Sequence, residues 1–326
     1  MAPRARASDT GVQTPHAAMD PDTPDFQPEP FRGSNHAPLD PETEADIIVI
    51  GAGPAGLAVA ACLVQRGHCP LVLEQARELV PSWRHHYERL HLHTVKTHSA
   101  LPGMAFPASA PRYVPRQGVV DYLDAYARRF GIEPELGVQV LAIEPRQRGH
   151  GAPWQVALSD GRQISANHVV VATGANRRPR APQLPGQDAF EGRILHSRSY
   201  RNAQPFAGQR VLVVGIGNTG AEIALDLTEH GVRTALSVRS PVNIVRRDVL
   251  GRPTQLSSRM LARLPTALGD ALAALFRDLT VGDLSRYGLH TAQVSPLRQL
   301  REEGRTPMID VGTIARIRNG EIQVYP

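Results

Sequence analysis

The sequence predicts an α/β fold built from two copies of one parallel-sheet unit, and three observations carry that prediction. A continuous β-branched run, Asp46-Ile-Ile-Val-Ile50, leads into a glycine turn, a helical stretch and a second apolar run. Strands without polar alternation are typically buried on both faces of a parallel sheet. The same succession returns at residues 210–238, and the two copies superpose at a constant offset of 164, with Gly51, Gly53, Gly56 and Gly67 falling on Gly215, Gly217, Gly220 and Gly231.

Taken in chain order, residues 1–44 hold eight Pro, three Arg and eight acids with almost no large apolar residue. That is too little apolar surface to offset the entropy of ordering, so a disordered leader is expected, with the folded part starting at Ala45. Gly51-Ala52-Gly53-Pro54-Ala55-Gly56 opens a helix over 57–66 that Gly67 closes, and Leu71-Val-Leu-Glu74 is the next strand. Residues 119–130 place Val119, Val120, Leu123, Tyr126, Ala127 and Phe130 on one helical face, with Gly131 as the cap. Strands are expected at 138–143 and 154–158, with a turn at Ser159-Asp-Gly161, and Val169-Val-Val-Ala172-Thr173-Gly174 closes this region. In the second copy, Arg210-Val-Leu-Val-Val214 enters Gly215-Ile216-Gly217-Asn218-Thr219-Gly220, followed by a helix over 221–230 and a strand over 235–238. Residues 259–276 read as helical with a break at Pro265, and 317–324 as a hairpin around Asn319-Gly320.

Composition narrows the partners. The 326 residues are 41% hydrophobic, enough for about two domains, and carry a net charge of +5. Because the leader is acidic, the remaining body is strongly basic and favours anionic ligands. No apolar run approaches the ~18 residues of a membrane span, and the N-terminus has no export signal, so no membrane association and a cytoplasmic location are expected. Basic runs interleaved with aromatics are missing, which argues against nucleic acid as a partner. Cys62 and Cys69 exclude a disulfide framework, a zinc cluster and a C-x-x-C pair, and both are expected to fill core. His85, His86, His91, His93 and His98 lack acids or thiols in ligand spacing beyond Glu88, so no metal is expected.

The chemistry lies in the glycine turns. In the first, Gly51 permits the sharp turn, Gly53 lets a pyrophosphate approach the backbone, and Gly56 lets helix and strand pack closely. The following helix N-terminus offers amides to phosphate. Glu74, 23 residues after Gly51, is placed to accept from ribose hydroxyls, as in FAD or NAD. In the second copy the matching position is Val238, followed by Arg239, a guanidinium where a 2′-phosphate would lie, which reads as NADPH over NADH. Arg246 and Arg247 are further candidates. Two Rossmann-like dinucleotide-binding domains in one chain imply FAD paired with NADPH. A disulfide reductase is excluded because neither cysteine can form a redox pair beside a flavin.

Just before the second copy, Phe190, Gly192, His196 and Tyr200 fit FxGxxxHxxxY. This pattern resembles the fingerprint of class B flavin monooxygenases, and its final Tyr resembles the flavin-containing monooxygenase branch, since Baeyer–Villiger enzymes usually carry Trp there. Residues 87–93, 101–107, 121–126, 215–227 and 304–312 are similar to the plant indole-3-pyruvate monooxygenases, the YUCCA family, and the resemblance runs from about Ala45 to the end.

The resemblance implies an NADPH domain (176–326, with the start of a return to the first domain) inserted into an FAD domain (45–175). It also implies a flavin hydroperoxide mechanism with O2, and indole-3-pyruvate or a similar 2-oxo acid as the small-molecule substrate. A general N- or S-oxygenating enzyme and a non-catalytic nucleotide-binding remnant are the alternatives. His93, His196 and Asn218 are the candidate catalytic residues. Trp83, Thr173 and Gly174 join the two glycine turns, Glu74 and Arg239 as candidate cofactor contacts. Animal-type members place Asn where His93 falls. Family members continue with a second A-T-G-like turn and a helix, whereas here only Ala172-Thr-Gly174 occurs, so a fragment or a truncated protein is expected. Oligomeric state is not legible.

Overall fold

The computed structural model describes residues 44–146, 152–176 and 178–325. The expected leader thus lies outside the described residues, apart from Glu44, which opens the first strand.

The first unit runs through β1 (Glu44–Ile50), α1 (Pro54–Val64), β2 (Leu71–Glu74), α2 (Pro81–Arg84), α3 (Arg116–Arg129), β3 (Glu135–Leu136), β4 (Val140–Pro145), β5 (Trp154–Leu158) and β6 (Gln163–Val171). They form one sheet in the order β3-β2-β1-β6-β5-β4. Strands β3, β2, β1 and β6 are parallel, while β5 pairs antiparallel with both β6 and β4. The central position of β1 explains its unbroken apolar run: Ile47, Ile48, Val49 and Ile50 are all buried. Val49 faces a core made with Leu57, Ala60 and Ala61 of α1 and Val119, Leu123 and Tyr126 of α3. Ile48 and Ile50 face a second core with Leu73, Val156, Leu158 and Ile164. Helix α3 buries the expected face, and Gly131 at φ +60° follows its C-terminus.

The second unit contains β7 (Arg210–Val214), α4 (Asn218–Glu229), β8 (Arg233–Ser237), β9 (Ile244–Arg246), β10 (Asp248–Val249), β11 (Arg252–Pro253), α5 (Thr254–Leu261), α6 (Thr266–Val281), α7 (Pro296–Glu303), β12 (Met308–Asp310), α8 (Thr313–Arg318) and β13 (Ile322–Tyr325). A parallel sheet in the order β13-β8-β7 forms its centre, β12 pairs parallel with β9, and β10 with β11 antiparallel. Pro265 separates α5 from α6 as expected.

Two expectations are corrected. Residues 317–324 are not a hairpin: α8 ends at Arg318, Asn319 holds φ −79°, and β13 runs parallel to β8. A two-residue type I′ turn needs φ > 0 at both central residues; here only Gly320 has it, at φ +77°. Ile314 and Ile317, three apart, are buried in the core of the second unit, which makes the segment before Asn319 helical. The cysteines also differ from expectation. Cys62 is only half-buried, and Cys69 is exposed because it lies beyond α1 in the link to β2. Among the described residues no helix is long and apolar enough to cross a membrane.

Candidate active site at the seam of two glycine turns

The two turns share one geometry. Gly51 and Gly215 hold φ +106° and +97°, and each amide donates to the end of the neighbouring strand, Gly51 N to Leu73 O at 2.7 Å and Gly215 N to Ser237 O at 2.9 Å. A Cβ on Gly56 would lie 1.8 Å from Gly51 O, and one on Gly220 would lie 2.1 Å from Gly215 O, so both are glycine because helix and turn touch. A Cβ on Gly53 or Gly217 would meet nothing within 4 Å. These two glycines face open space directly before α1 and α4, and no side chain caps either helix start. A glycine that packing does not require, at an uncapped helix N-terminus, fits a group that needs close backbone approach, such as a pyrophosphate. Ala172-Thr173-Gly174 adjoins the first turn: Ala172 N donates to Ile50 O at 2.9 Å, and a Cβ on Gly51 would lie 2.6 Å from Ala172 O.

Glu74 is buried at the end of β2. Its Oε2 accepts from Ala52 N at 2.9 Å and its Oε1 from Ala76 N at 3.0 Å, so the carboxylate is fixed against the first turn with a further lone pair on each oxygen. Val80, in the left-handed region at φ +48°, donates its N–H to Ala52 O at 3.3 Å and brings α2 against the same turn. Trp83 on α2 packs where the first core meets the cluster joining the two units. In the second turn the place of Glu74 is taken by buried Val238, and Arg239 after it is exposed with no side-chain partner among the described residues.

The loop after α2 crosses to the second unit. Tyr87 and Leu90 pack with Tyr200, Phe206, Ile223 and Leu227. Glu88 N donates to Arg201 O at 2.9 Å, and Arg89 pairs with Glu229. At the centre of this seam stands Glu222, buried on α4 one turn after Asn218. His93 Nε2 lies 2.8 Å from Glu222 Oε1. Tyr87 is buried beside Glu222; burial first, then the Glu222 charge, pushes its phenol well above its ordinary range. Asn218 Oδ1 accepts from Ile309 N at 2.6 Å, tying β12 to the start of α4. Thus Asn218 and Glu222, one turn apart at the head of α4, each meet a residue of another element.

The other expected residues have defined positions. His196 caps a short helical turn, its Nδ1 accepting from Arg198 N at 3.1 Å. That turn delivers Tyr200, which is buried, stacked with Phe206 and donates to Asp226 Oδ2 at 2.5 Å. Arg247 lies over the Tyr113 ring at 4.2 Å and beside Asp248 at 3.4 Å. The histidine cluster is dispersed: His85 pairs with Glu78, His91 Nδ1 is 2.6 Å from Arg89 O, and His93 meets Glu222. Lys96 donates to the carbonyls of Pro107, Ala108 and Ala110 at 3.1, 2.7 and 2.6 Å, which gives the single lysine a loop-tethering role.

Residues 48–271 match the family described as pyridine nucleotide-disulphide oxidoreductase. Indole-3-pyruvate monooxygenase YUCCA1 of Oryza sativa subsp. japonica is 38% identical over 279 residues, which make up 85% of this chain and 68% of that protein. The chain belongs to this family of flavin-dependent monooxygenases. Members are oxidoreductases that use FAD and NADPH. Among solved structures, a double mutant of the flavin monooxygenase from Stenotrophomonas maltophilia is 30% identical with a TM-score of 0.59, over 68% of this chain and 63% of that one. A cyclohexanone monooxygenase mutant from Rhodococcus sp. Phi1 shares the fold, with a TM-score of 0.65 at 19% identity over 87% and 66%. The chain therefore spans about two thirds of the length of its relatives.

Burial, aided by the nearby Arg201 and Arg116 cations and opposed by Glu222, lowers the pKa of His86 below its ordinary 6.5. The folded protein keeps His86 neutral while the unfolded chain takes up the proton, so this contribution to stability is present above about pH 6.5 and is lost as pH falls toward the folded value. Thermal melts between about pH 7 and 5.5 are expected to show a falling midpoint, with a shallower fall in His86→Gln. Parallel curves for the two proteins would contradict the assignment.

Proposed function

We propose that this chain is an NADPH-dependent flavin monooxygenase whose first glycine turn (domain 45–175) holds FAD and whose second (domain 176–326) holds NADPH, acting on indole-3-pyruvate or a similar 2-oxo acid. The observation that carries this reading is the pair of matching cradles, one ending in Glu74 and the other in Val238-Arg239, with His93 of the first unit set against Glu222 of the second. When bound, FAD reduced by NADPH supplies two electrons to dioxygen for insertion of one oxygen atom into the substrate. The balance is one 2-oxo acid, O2, NADPH and a proton giving the shortened carboxylic acid, CO2, NADP+ and water.

In this reading the residues divide the work. Gly53 and the α1 N-terminus receive the FAD pyrophosphate, Glu74 takes the ribose hydroxyls, and Thr173 and Gly174 line the same turn. Gly217 and the head of α4 receive the NADPH pyrophosphate, and Arg239 pairs the 2′-phosphate. His93 is held at the seam by Glu222, Asn218 fixes β12, and His196 sets the loop that ends in Tyr200. The basic body suits a carboxylate substrate.

Incubation with FAD, NADPH and indole-3-pyruvate in air is expected to yield indole-3-acetate. NADPH oxidation that gives only hydrogen peroxide, or turnover confined to sulfides and amines, would reject the 2-oxo acid. Arg239→Ala is expected to raise the KM for NADPH by about tenfold or more, the worth of one charge-assisted contact, and to leave that for NADH unchanged. Equal effects on both nucleotides would remove Arg239 from the site.

A further inference from the structure

Helix α6 carries apolar residues on two opposite sides. Gly269, Ala273, Arg277 and Val281, spaced four apart, form the buried side that packs against α5, α7 and β9. Gly269 belongs to that packing, since a Cβ there would lie 2.6 Å from Leu261 O at the end of α5. At about 100° per residue the opposite side presents Leu268, Leu272, Leu275 and Leu279. These four are 50, 36, 54 and 76% exposed. A surface helix ordinarily turns charge outward, and a helix that is apolar all round is a covered one. Small residues, Ala267, Ala271 and Ala274, border the leucines, and Asp278 stands toward their C-terminal end.

The leucines follow one another at intervals of four, three and four, the alternation of d and a positions in a heptad, which is how one helix meets another along a seam. A lipid surface suits a different helix, one whose apolar side is bordered by Lys or Arg. The cation of α6, Arg277, is buried on the far side, where it donates to Asn243 Oδ1 at 2.6 Å and Ala292 O at 3.0 Å. The seam is complementary to itself when two copies run antiparallel about a two-fold axis between Leu272 and Leu275. Leu268 then faces Leu279 of the second copy, and Leu272 faces Leu275. Charge selects the same direction. Arg259 and Arg263 are exposed ahead of α6, Asp278 and Asp283 are exposed at its C-terminal end, and the nearby Arg286 is folded over the Tyr287 ring at 4.7 Å. Antiparallel packing sets each acidic end beside the arginines of the other copy, whereas parallel packing would set acid against acid.

We propose that the outer side of α6 is a docking surface for a second copy of this chain, joined antiparallel through Leu268, Leu272, Leu275 and Leu279. The contact is isologous, so it closes at a dimer. Met260 and Leu264, exposed on α5 and in the link to α6, extend the apolar surface toward the N-terminal end of the seam. Such a seam is small beside the ~800 Å² per partner of a standard stable interface, so a reversible dimer with a Kd of about 10 μM is expected. Neither glycine turn takes part, and the dimer does not depend on which nucleotide each turn holds.

Sedimentation velocity of the full chain from about 1 to 100 μM is expected to show a concentration-dependent shift from one copy to two. Leu272→Glu/Leu275→Glu puts like charges at the centre of the seam and is expected to stay a monomer over that range. Its melting temperature at low concentration is expected to match the wild type, because both side chains are exposed in the single chain. Cross-linking in a Cys69→Ser background, which removes an exposed native thiol, reads the direction. A mixture of Leu268→Cys and Leu279→Cys proteins is expected to form a disulfide-linked dimer under mild oxidation. Leu268→Cys alone is not, since antiparallel packing leaves its two thiols about 16 Å apart along the seam at ~1.5 Å per residue. Should the glutamate variant unfold, the cysteine pair still reports the contact. A wild type that is monomeric at every concentration, a dimer untouched by the glutamate pair, or self-linking of Leu268→Cys as fast as the mixture would each overturn the proposal. So would a monomeric wild type that co-sediments with phosphatidylglycerol–phosphatidylcholine vesicles and loses that binding in the glutamate variant, which would assign the leucines to lipid.

Discussion

Gly56→Ala is expected to give a colourless, destabilised protein, while Gly53→Ala, three residues away, is expected to fold normally and lose affinity for flavin. The added methyl at Gly56 would lie 1.8 Å from Gly51 O, a main-chain atom that cannot step aside without opening the turn. Overpacking of this kind costs about 1–3 kcal/mol and sometimes more, a large share of the ~5–15 kcal/mol by which domains are stable. The methyl at Gly53 would meet no protein atom within 4 Å, so the chain pays nothing for it; the cost falls on whatever approaches the backbone there. Urea unfolding of the flavin-free proteins, together with the visible absorbance of the loaded ones, separates the two effects. A Gly56→Ala protein with wild-type midpoint and flavin content would show that the close contact is not needed. A Gly53→Ala protein that keeps full flavin affinity would remove the first turn from the phosphate site. Gly220→Ala is expected to repeat the Gly56 result in the second unit, where the approach is 2.1 Å.

The glycine turns were legible because their requirements are local: a positive φ at Gly51 and Gly215, and a helix that touches its own turn at Gly56 and Gly220, are fixed within six residues of chain. The β1 strand and the α3 face were readable for the same reason, as burial imprints directly on periodicity. The segment at Asn319-Gly320 was not, because Asn-Gly serves both a hairpin turn and a helix end, and only the packing of Ile314 and Ile317 into the second core decides between them. Nor could Lys96 be given a role from the sequence, since the three carbonyls that hold it belong to a loop eleven or more residues away.

Glu222 is the plainest omission among the site residues. Its partners His93 and Tyr87 lie well over a hundred residues away, and within the helix it reads as one polar residue among many. The available signal was weak: Glu222 and Asp226 are acids four apart on a helix whose neighbouring positions are apolar, and both are buried against partners from outside α4.

That burial makes Glu222 the second site at which a single change is expected to act strongly. Glu222→Leu removes the carboxylate that lies 2.8 Å from His93 Nε2 inside the seam, and leaving a buried polar partner unsatisfied costs about 1–3 kcal/mol. The Arg89–Glu229 pair and the Glu88–Arg201 hydrogen bond at the rim are more exposed and contribute less. Glu222→Gln keeps the shape and a polar group facing His93 but loses the charge, so its cost in stability is expected to be smaller, about 1 kcal/mol. Because the carboxylate joins the loop that follows the first cradle to the helix that begins at the second, Glu222→Gln is expected to slow NADPH oxidation several-fold with FAD content intact. A double-mutant cycle with His93→Gln distinguishes the specific contact from general loosening: a coupling of about 1 kcal/mol or more is expected for residues that touch, and additive effects would sever the proposed link between the two cradles.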